Sequence, residues 1–276
     1  MIQRTLFVAL FSLLLNFSYA QQPVYATKEN LMYYPEAVCK ANSYIAERCK
    51  LDVYYPKNKT NSPAIVWFHG GGLTGGNKEI PKALMEQGFI VVGVGYRLAP
   101  KAAVNDIIED AAAAVAWIFQ HVQEYGGSKN LVFLSGHSAG AYLDLMVTLD
   151  KKRLAKYDLD PNQFAGVISL SAQTITHFTR RQELKLKDTH PLVDEYAPLY
   201  FVRADAPPLL LITGDRELEM LGRYEENAYL ARMMKLNGHK KTVLYELDGY
   251  GHNMTEPAFP LLIKEVKTLT KEIIGK

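Results

Sequence analysis

Six short, almost uninterrupted apolar runs are spread along this chain, at residues 64–68, 89–94, 131–134, 164–170, 208–213 and 242–247. Runs of this length without polar alternation suit parallel strands buried on both faces. Helical patterns lie between them. Val104, Ile107, Ile108, Ala111, Val115, Ile118 and Val122 recur at spacings of three and four, an apolar stripe on one helix face, and Gly126-Gly127 follows as a stop. Residues 223–237, closed by Gly238, and residues 259–274 read as further helices. The alternation predicts an α/β fold with a mostly parallel central sheet and helices on both faces. No internal repeat, low-complexity tract or Gly/Ser/Pro-rich linker divides it, so one domain is expected.

The ends of this pattern carry their own information. Arg4 precedes an apolar stretch at residues 6–15, and Ser18-Tyr19-Ala20 has small residues where a signal peptidase reads them. This is a signal-peptide pattern, with cleavage expected after Ala20. The stretch is short for a bilayer span, and no cysteine follows it for lipid attachment. The expectation is an exported protein (periplasmic or extracellular) without a stable membrane anchor, whose single domain is residues 21–276. In an oxidising compartment Cys39 and Cys49 form a bridge or remain two free thiols; both readings stand. Residues 48–55 read as one strand of a first hairpin, with Cys39 on the strand or turn before it. Residues 173–205 form a long connection, expected to be a small lid. With 31 basic against 29 acidic residues and a net charge of +2, clustered positive charge for nucleic-acid binding is not expected.

The chemistry is carried by a few short segments. Gly136-His137-Ser138-Ala139-Gly140 follows the run at 131–134 and opens into a helical stretch. In that strand–turn–helix setting G-x-S-x-G is a nucleophile elbow, which exposes the Ser138 hydroxyl at the strand's C-terminal end. His69-Gly70-Gly71-Gly72 ends the run at 64–68, and its glycines let backbone N–H groups approach a ligand closely. Such donors stabilise the oxyanion that develops when a hydroxyl attacks a carbonyl. Phosphate-loop spacings are absent: Gly75-Gly76-Asn77-Lys78 fits neither pattern. A serine needs a base and an orienting acid. Among seven histidines, His252 stands in the loop Asp248-Gly249-Tyr250-Gly251-His252 after the last strand, which satisfies the order Ser, acid, His. The acid is expected after the run at 208–213, where Asp215 and Glu217 both qualify.

These segments, with Gly95-Tyr96-Arg97-Leu98-Ala99-Pro100, resemble the α/β-hydrolase superfamily, in its hormone-sensitive-lipase-like and acetyl-esterase (carboxylesterase) group. The glycine loop is also similar to that of smaller acyl esterases acting on plant cell-wall carbohydrate esters. The resemblance implies Ser138 as nucleophile, His252 as base and an oxyanion hole from the N–H groups of Gly71, Gly72 and Ala139. It favours Glu217 over Asp215 as the acid. The chain departs from the hormone-sensitive-lipase type, which carries a longer N-terminal cap than the residues before Ala64 allow, so a short or missing cap and an open site are expected; the implied mechanism needs no cofactor or metal. The expected function is hydrolysis of short-chain acyl esters, on small-molecule or carbohydrate substrates (acetyl or feruloyl esters), through a Ser–His–acid triad and an acyl-enzyme. A peptidase, amidase or formamidase on the same fold is one alternative, and a non-catalytic exported binding module is another.

Overall fold

The computed structural model describes residues 24–275. The expected signal peptide, residues 1–20, lies outside them. In chain order the elements are β1 (Tyr25–Met32), α1 (Glu36–Ala41), α2 (Ser43–Arg48), β2 (Lys50–Pro56), β3 (Ser62–Phe68), β4 (Ile90–Val94), α3 (Val104–His121), β5 (Gly127–His137), α4 (Ala139–Leu149), α5 (Lys152–Ala155), β6 (Gly166–Leu170), α6 (Phe178–Glu183), β7 (Leu209–Gly214), α7 (Arg223–Leu236), β8 (Thr242–Leu247) and α8 (Thr255–Ile274). The strands form one eight-stranded sheet in the order β1-β2-β4-β3-β5-β6-β7-β8. β1 and β2 are antiparallel to their neighbours; the strands from β4 through β8 are parallel.

The apolar runs are explained by burial on two sides. Along β3, Ala64, Val66 and Phe68 enter a core with α3, α4 and α7, while Ile65 and Trp67 enter a second core with α8. Each face therefore receives every second residue, and the strand reads as continuously apolar. α3 begins where the Val104 N–H donates to Glu183 (2.8 Å), and the 3-10 turn after it stops at Gly126, whose φ of 77° favours glycine.

Four local expectations are corrected. β8 is not buried on both faces: it pairs only with β7, and as an edge strand it leaves Val243 and Tyr245 exposed. The last helix starts at Thr255, four residues before Phe259, because Met254 and Ala258 already pack into the second core. The first antiparallel pair, β1 with β2, is not a tight hairpin, since α1 and α2 connect the two strands. Cys39 accordingly lies on α1, and both it and Cys49 are buried free thiols.

The site follows from the strand order. β3 is flanked by β4 on one side and β5 on the other, so the chain reverses its direction across the sheet between them. Ligands of open α/β sheets bind beyond the strand C-termini at such a switch point. Phe68 and Gly136 are register partners, so the loops leaving β3 and β5 emerge side by side.

Candidate active site

At the end of β5 the chain turns sharply into α4. Ser138 has φ 55° and ψ −114°, a left-handed conformation that costs a non-glycine residue about 1–3 kcal/mol. Its backbone is held from both sides: the Ser138 N–H donates to the Leu170 carbonyl (2.8 Å), and its carbonyl accepts from Tyr142 N–H (2.9 Å). The flanking glycines are required by space. A Cβ on Gly136 would stand 2.5 Å from Gly140 C, and one on Gly140 would stand 2.0 Å from the Phe68 carbonyl oxygen.

The Ser138 hydroxyl meets His252 Nε2 at 2.9 Å. On the other side of the ring, His252 Nδ1 lies 2.6 Å from Glu219 Oε1. The carboxylate on Nδ1 fixes the tautomer with Nε2 free to accept the serine proton. The structure thus brings Ser138 and His252 together as expected, but the acid against the ring is Glu219, not Glu217 or Asp215. The reason is a single turn after β7. The N–H groups of Leu218 and Glu219 both donate to the Asp215 carbonyl, and this folds Glu219 back toward the sheet while Glu217 is left exposed. Asp215 instead accepts from the N–H groups of Glu217 and Gly249, tying the acid loop to the His252 loop. Burial alone would raise the Glu219 carboxyl. The bonds from His252, Met220 N–H and Ser171 outweigh it and hold the carboxyl down at about 2.

Two further residues support this line and have no signature in sequence. Ser171 Oγ donates to Glu219 Oε2 (2.8 Å) beside His252 Nδ1. His137, the variable residue of the elbow, donates from Nε2 to the His252 carbonyl (2.8 Å). Burial pulls the His137 imidazole down to about 4, so it serves as a neutral donor that pins the histidine loop.

The glycine loop faces the serine. Gly71 (φ 113°) and Gly72 (φ 64°) adopt conformations that favour glycine, and both line the cleft with Ser138 and His252. The N–H groups of Gly71, Gly72 and Ala139 have no protein acceptor among the described residues. Ala139 is the first residue of α4, where N–H groups have no partner within the helix and the dipole favours negative charge. The loop is braced from below. Tyr96 stacks on His69 (centroids 4.2 Å apart) and donates to its carbonyl (2.6 Å), and Arg97 holds the buried Asp110 through two side-chain bonds of 2.8 Å. It is braced from above by the 173–205 segment: Thr179 Oγ1 donates to the Gly72 carbonyl (2.6 Å), and Phe178 lies against Gly72. The cleft has a volume of about 490 Å3. Among the described residues no group of His, Cys, Asp and Glu side chains is arranged to hold a metal, and no helix is long and apolar enough to cross a membrane.

Fold and strand order define this chain as an α/β hydrolase with a Ser–His–Glu constellation at its switch point. More narrowly, the chain belongs to the BD-FAE family, whose model matches residues 51–220. It is similar to esterase LipC of Mycobacterium tuberculosis, with 26% identity over 228 residues, covering 73% of this chain and 56% of the relative. It is also similar to the kynurenine formamidase of Danio rerio, with 33% identity over 121 residues, covering 42% of this chain and 39% of the relative. The chain spans about half the length of the curated relatives that it matches over most of its own length. A truncated carbohydrate esterase from gut microbiota has the same fold, with a TM-score of 0.74 at 17% identity, covering 91% of this chain and 99% of that one.

Proposed function

We propose that this chain is a serine carboxylesterase that cleaves short-chain acyl esters, including esters carried on carbohydrate. The observation that carries the reading is the line Ser138–His252–Glu219, opening beside three unpartnered backbone N–H groups. In this mechanism Ser138 Oγ attacks the acyl carbon as its proton passes to His252 Nε2. Glu219 keeps the ring oriented and stabilises the imidazolium. The N–H groups of Gly71, Gly72 and Ala139 take the developing oxyanion, each worth about 3 kcal/mol in comparable sites. The tetrahedral intermediate collapses as His252 hands its proton to the leaving alcohol. Water, activated by His252, then attacks the acyl-enzyme and releases the acid and Ser138. Support for a carbohydrate alcohol comes from a second, polar hollow that shares Gly70, Glu79, His137 and Asn253 with the cleft and adds Lys82 and Glu256. The 173–205 segment acts as a small lid through Phe178 and Thr179. We also propose export after cleavage at Ala20; a secreted mature chain beginning at Gln21 by N-terminal mass analysis supports this, and retention of residues 1–20 contradicts it.

A second reading, amide hydrolysis, is favoured by the similarity to a formamidase. Comparing kcat/KM on an aryl acetate, an acetylated xylo-oligosaccharide, an aryl formamide and an amino-acid anilide separates the two. The proposal expects turnover of both acetates to exceed that of either amide by at least about a hundredfold. Faster formamide or anilide cleavage reverses it.

A further inference from the structure

Beside the cleft, and distinct from the polar hollow, lies a further cavity of about 400 Å3, which shares Phe178 and Met220 with the cleft and is also lined by Glu219. Arg181, on α6, and Arg223, the first residue of α7, both line this cavity, and they are only 3% and 2% exposed. Each guanidinium spends one N–H on a backbone carbonyl: Arg181 Nη1 on His190 (2.6 Å) and Arg223 Nη1 on Ser171 (2.5 Å). The Nε of each is buried without a partner. Neither arginine forms an ion pair among the described residues.

Glu226, Glu219 and Asp188 offset the two positive charges at longer range, and Asp188 also lines the cavity, but none of the three hydrogen-bonds either guanidinium. Asp188 accepts from Gln182 Nε2 (3.0 Å), Glu226 accepts from Thr174 N–H (3.0 Å), and Glu219 holds His252. Two buried guanidiniums with donors to spare are costly to keep, and packing alone is served as well by apolar side chains of similar volume. An arginine fork presents paired N–H groups matched to the two oxygens of a carboxylate. Phe178 and Leu221, the latter 82% exposed, supply apolar surface for the body that bears it.

We infer that this cavity is a carboxylate subsite, and that the substrates of this site are esters carrying a free carboxylate a few bonds from the scissile bond. The inference rests on the ester-hydrolase reading above and names its substrate class. The carboxylate sits either on the acyl portion or on the alcohol.

The test uses the folded wild-type chain and two matched pairs. 4-Nitrophenyl hydrogen glutarate against 4-nitrophenyl pentanoate places the charge on the acyl side. 4-Acetoxybenzoate against its methyl ester places it on the alcohol side. After correction for intrinsic alkaline hydrolysis, the charged member of one pair is expected to have a kcat/KM at least about tenfold higher. Arg181→Gln is expected to bring that ratio to within about twofold of unity, and Arg181→Lys to retain part of the preference. Independently of any variant, glutarate or benzoate is expected to inhibit neutral-ester hydrolysis competitively, and glutaramide and benzamide are not. Equal or lower rates for the charged member in both pairs, with neutral esters turned over, overturn the subsite. So does a preference that Arg181→Gln leaves intact, or inhibition that ignores charge. Failure of every ester together with no labelling of Ser138 by a fluorophosphonate is instead the failure of the ester-hydrolase reading, and the subsite falls with it.

Discussion

At the scale of single residues, the sharpest consequence concerns three acids within five positions. Glu219 contacts His252 Nδ1, Asp215 holds the loop that carries His252, and Glu217 faces solvent. Glu219→Gln keeps the shape but removes the charge that orients the ring, and a comparable substitution in other triads lowers kcat by about 10⁴. Glu217→Gln is expected to stay within about twofold of the parent. Steady-state rates on one aryl ester check both, and an inactive Glu217→Gln beside an active Glu219→Gln contradicts the assignment. The distinction was hidden in the sequence because all three carboxylates follow the same strand. Only the turn closed by the Asp215 carbonyl decides which one points back. Ser138 and His252 were easier to single out, since each sits in a segment whose glycines and position after a strand mark it.

At the scale of elements, the elbow depends on contacts no side chain can enter. Gly140→Ala puts a methyl carbon against the Phe68 carbonyl, where a Cβ has 2.0 Å. It must push β3 and α4 apart, and we expect a loss of at least about 3 kcal/mol in urea unfolding, or no folded protein. A Gly140→Ala protein as stable as the parent contradicts this account of the turn. The strands that frame the elbow were legible, because runs such as the one forming β3 divide evenly between two cores. The N-terminal strand β1 was not. Its burial is slight and its charged residues Lys28 and Glu29 resemble loop, so pairing with β2 rather than local pattern makes it a strand.

At the scale of the whole molecule, buried titratable groups couple stability to pH. Burial lowers the imidazoles of His69 and His137 to about 4 and that of His177 well below its ordinary value. The unfolded chain takes up these protons below about pH 6.5 and the folded chain does not, so stability is lost as pH falls through that range. Burial raises the carboxyls of Asp144, Glu226 and Glu265, which contributes the opposite slope. The shifts of the three imidazoles and of Asp144 are large and those of Glu226 and Glu265 smaller, so unfolding free energy at pH 5 is expected to be lower than at pH 7. Denaturant titrations at the two pH values check the sign; greater stability at pH 5 contradicts it. Glu219, held at about 2, adds a further loss only below about pH 4.3.

All three scales converge on one atom, the Ser138 Oγ. The most direct measurement is the mass of the intact protein, and of its Ser138 peptide, after exposure to an aryl-reporter fluorophosphonate. One adduct per chain is expected, located on Ser138, with ester hydrolysis lost in proportion and labelling nearly abolished in His252→Ala. A protein that hydrolyses esters while Ser138 stays unmodified, or that labels at another residue as activity disappears, contradicts Ser138 as nucleophile.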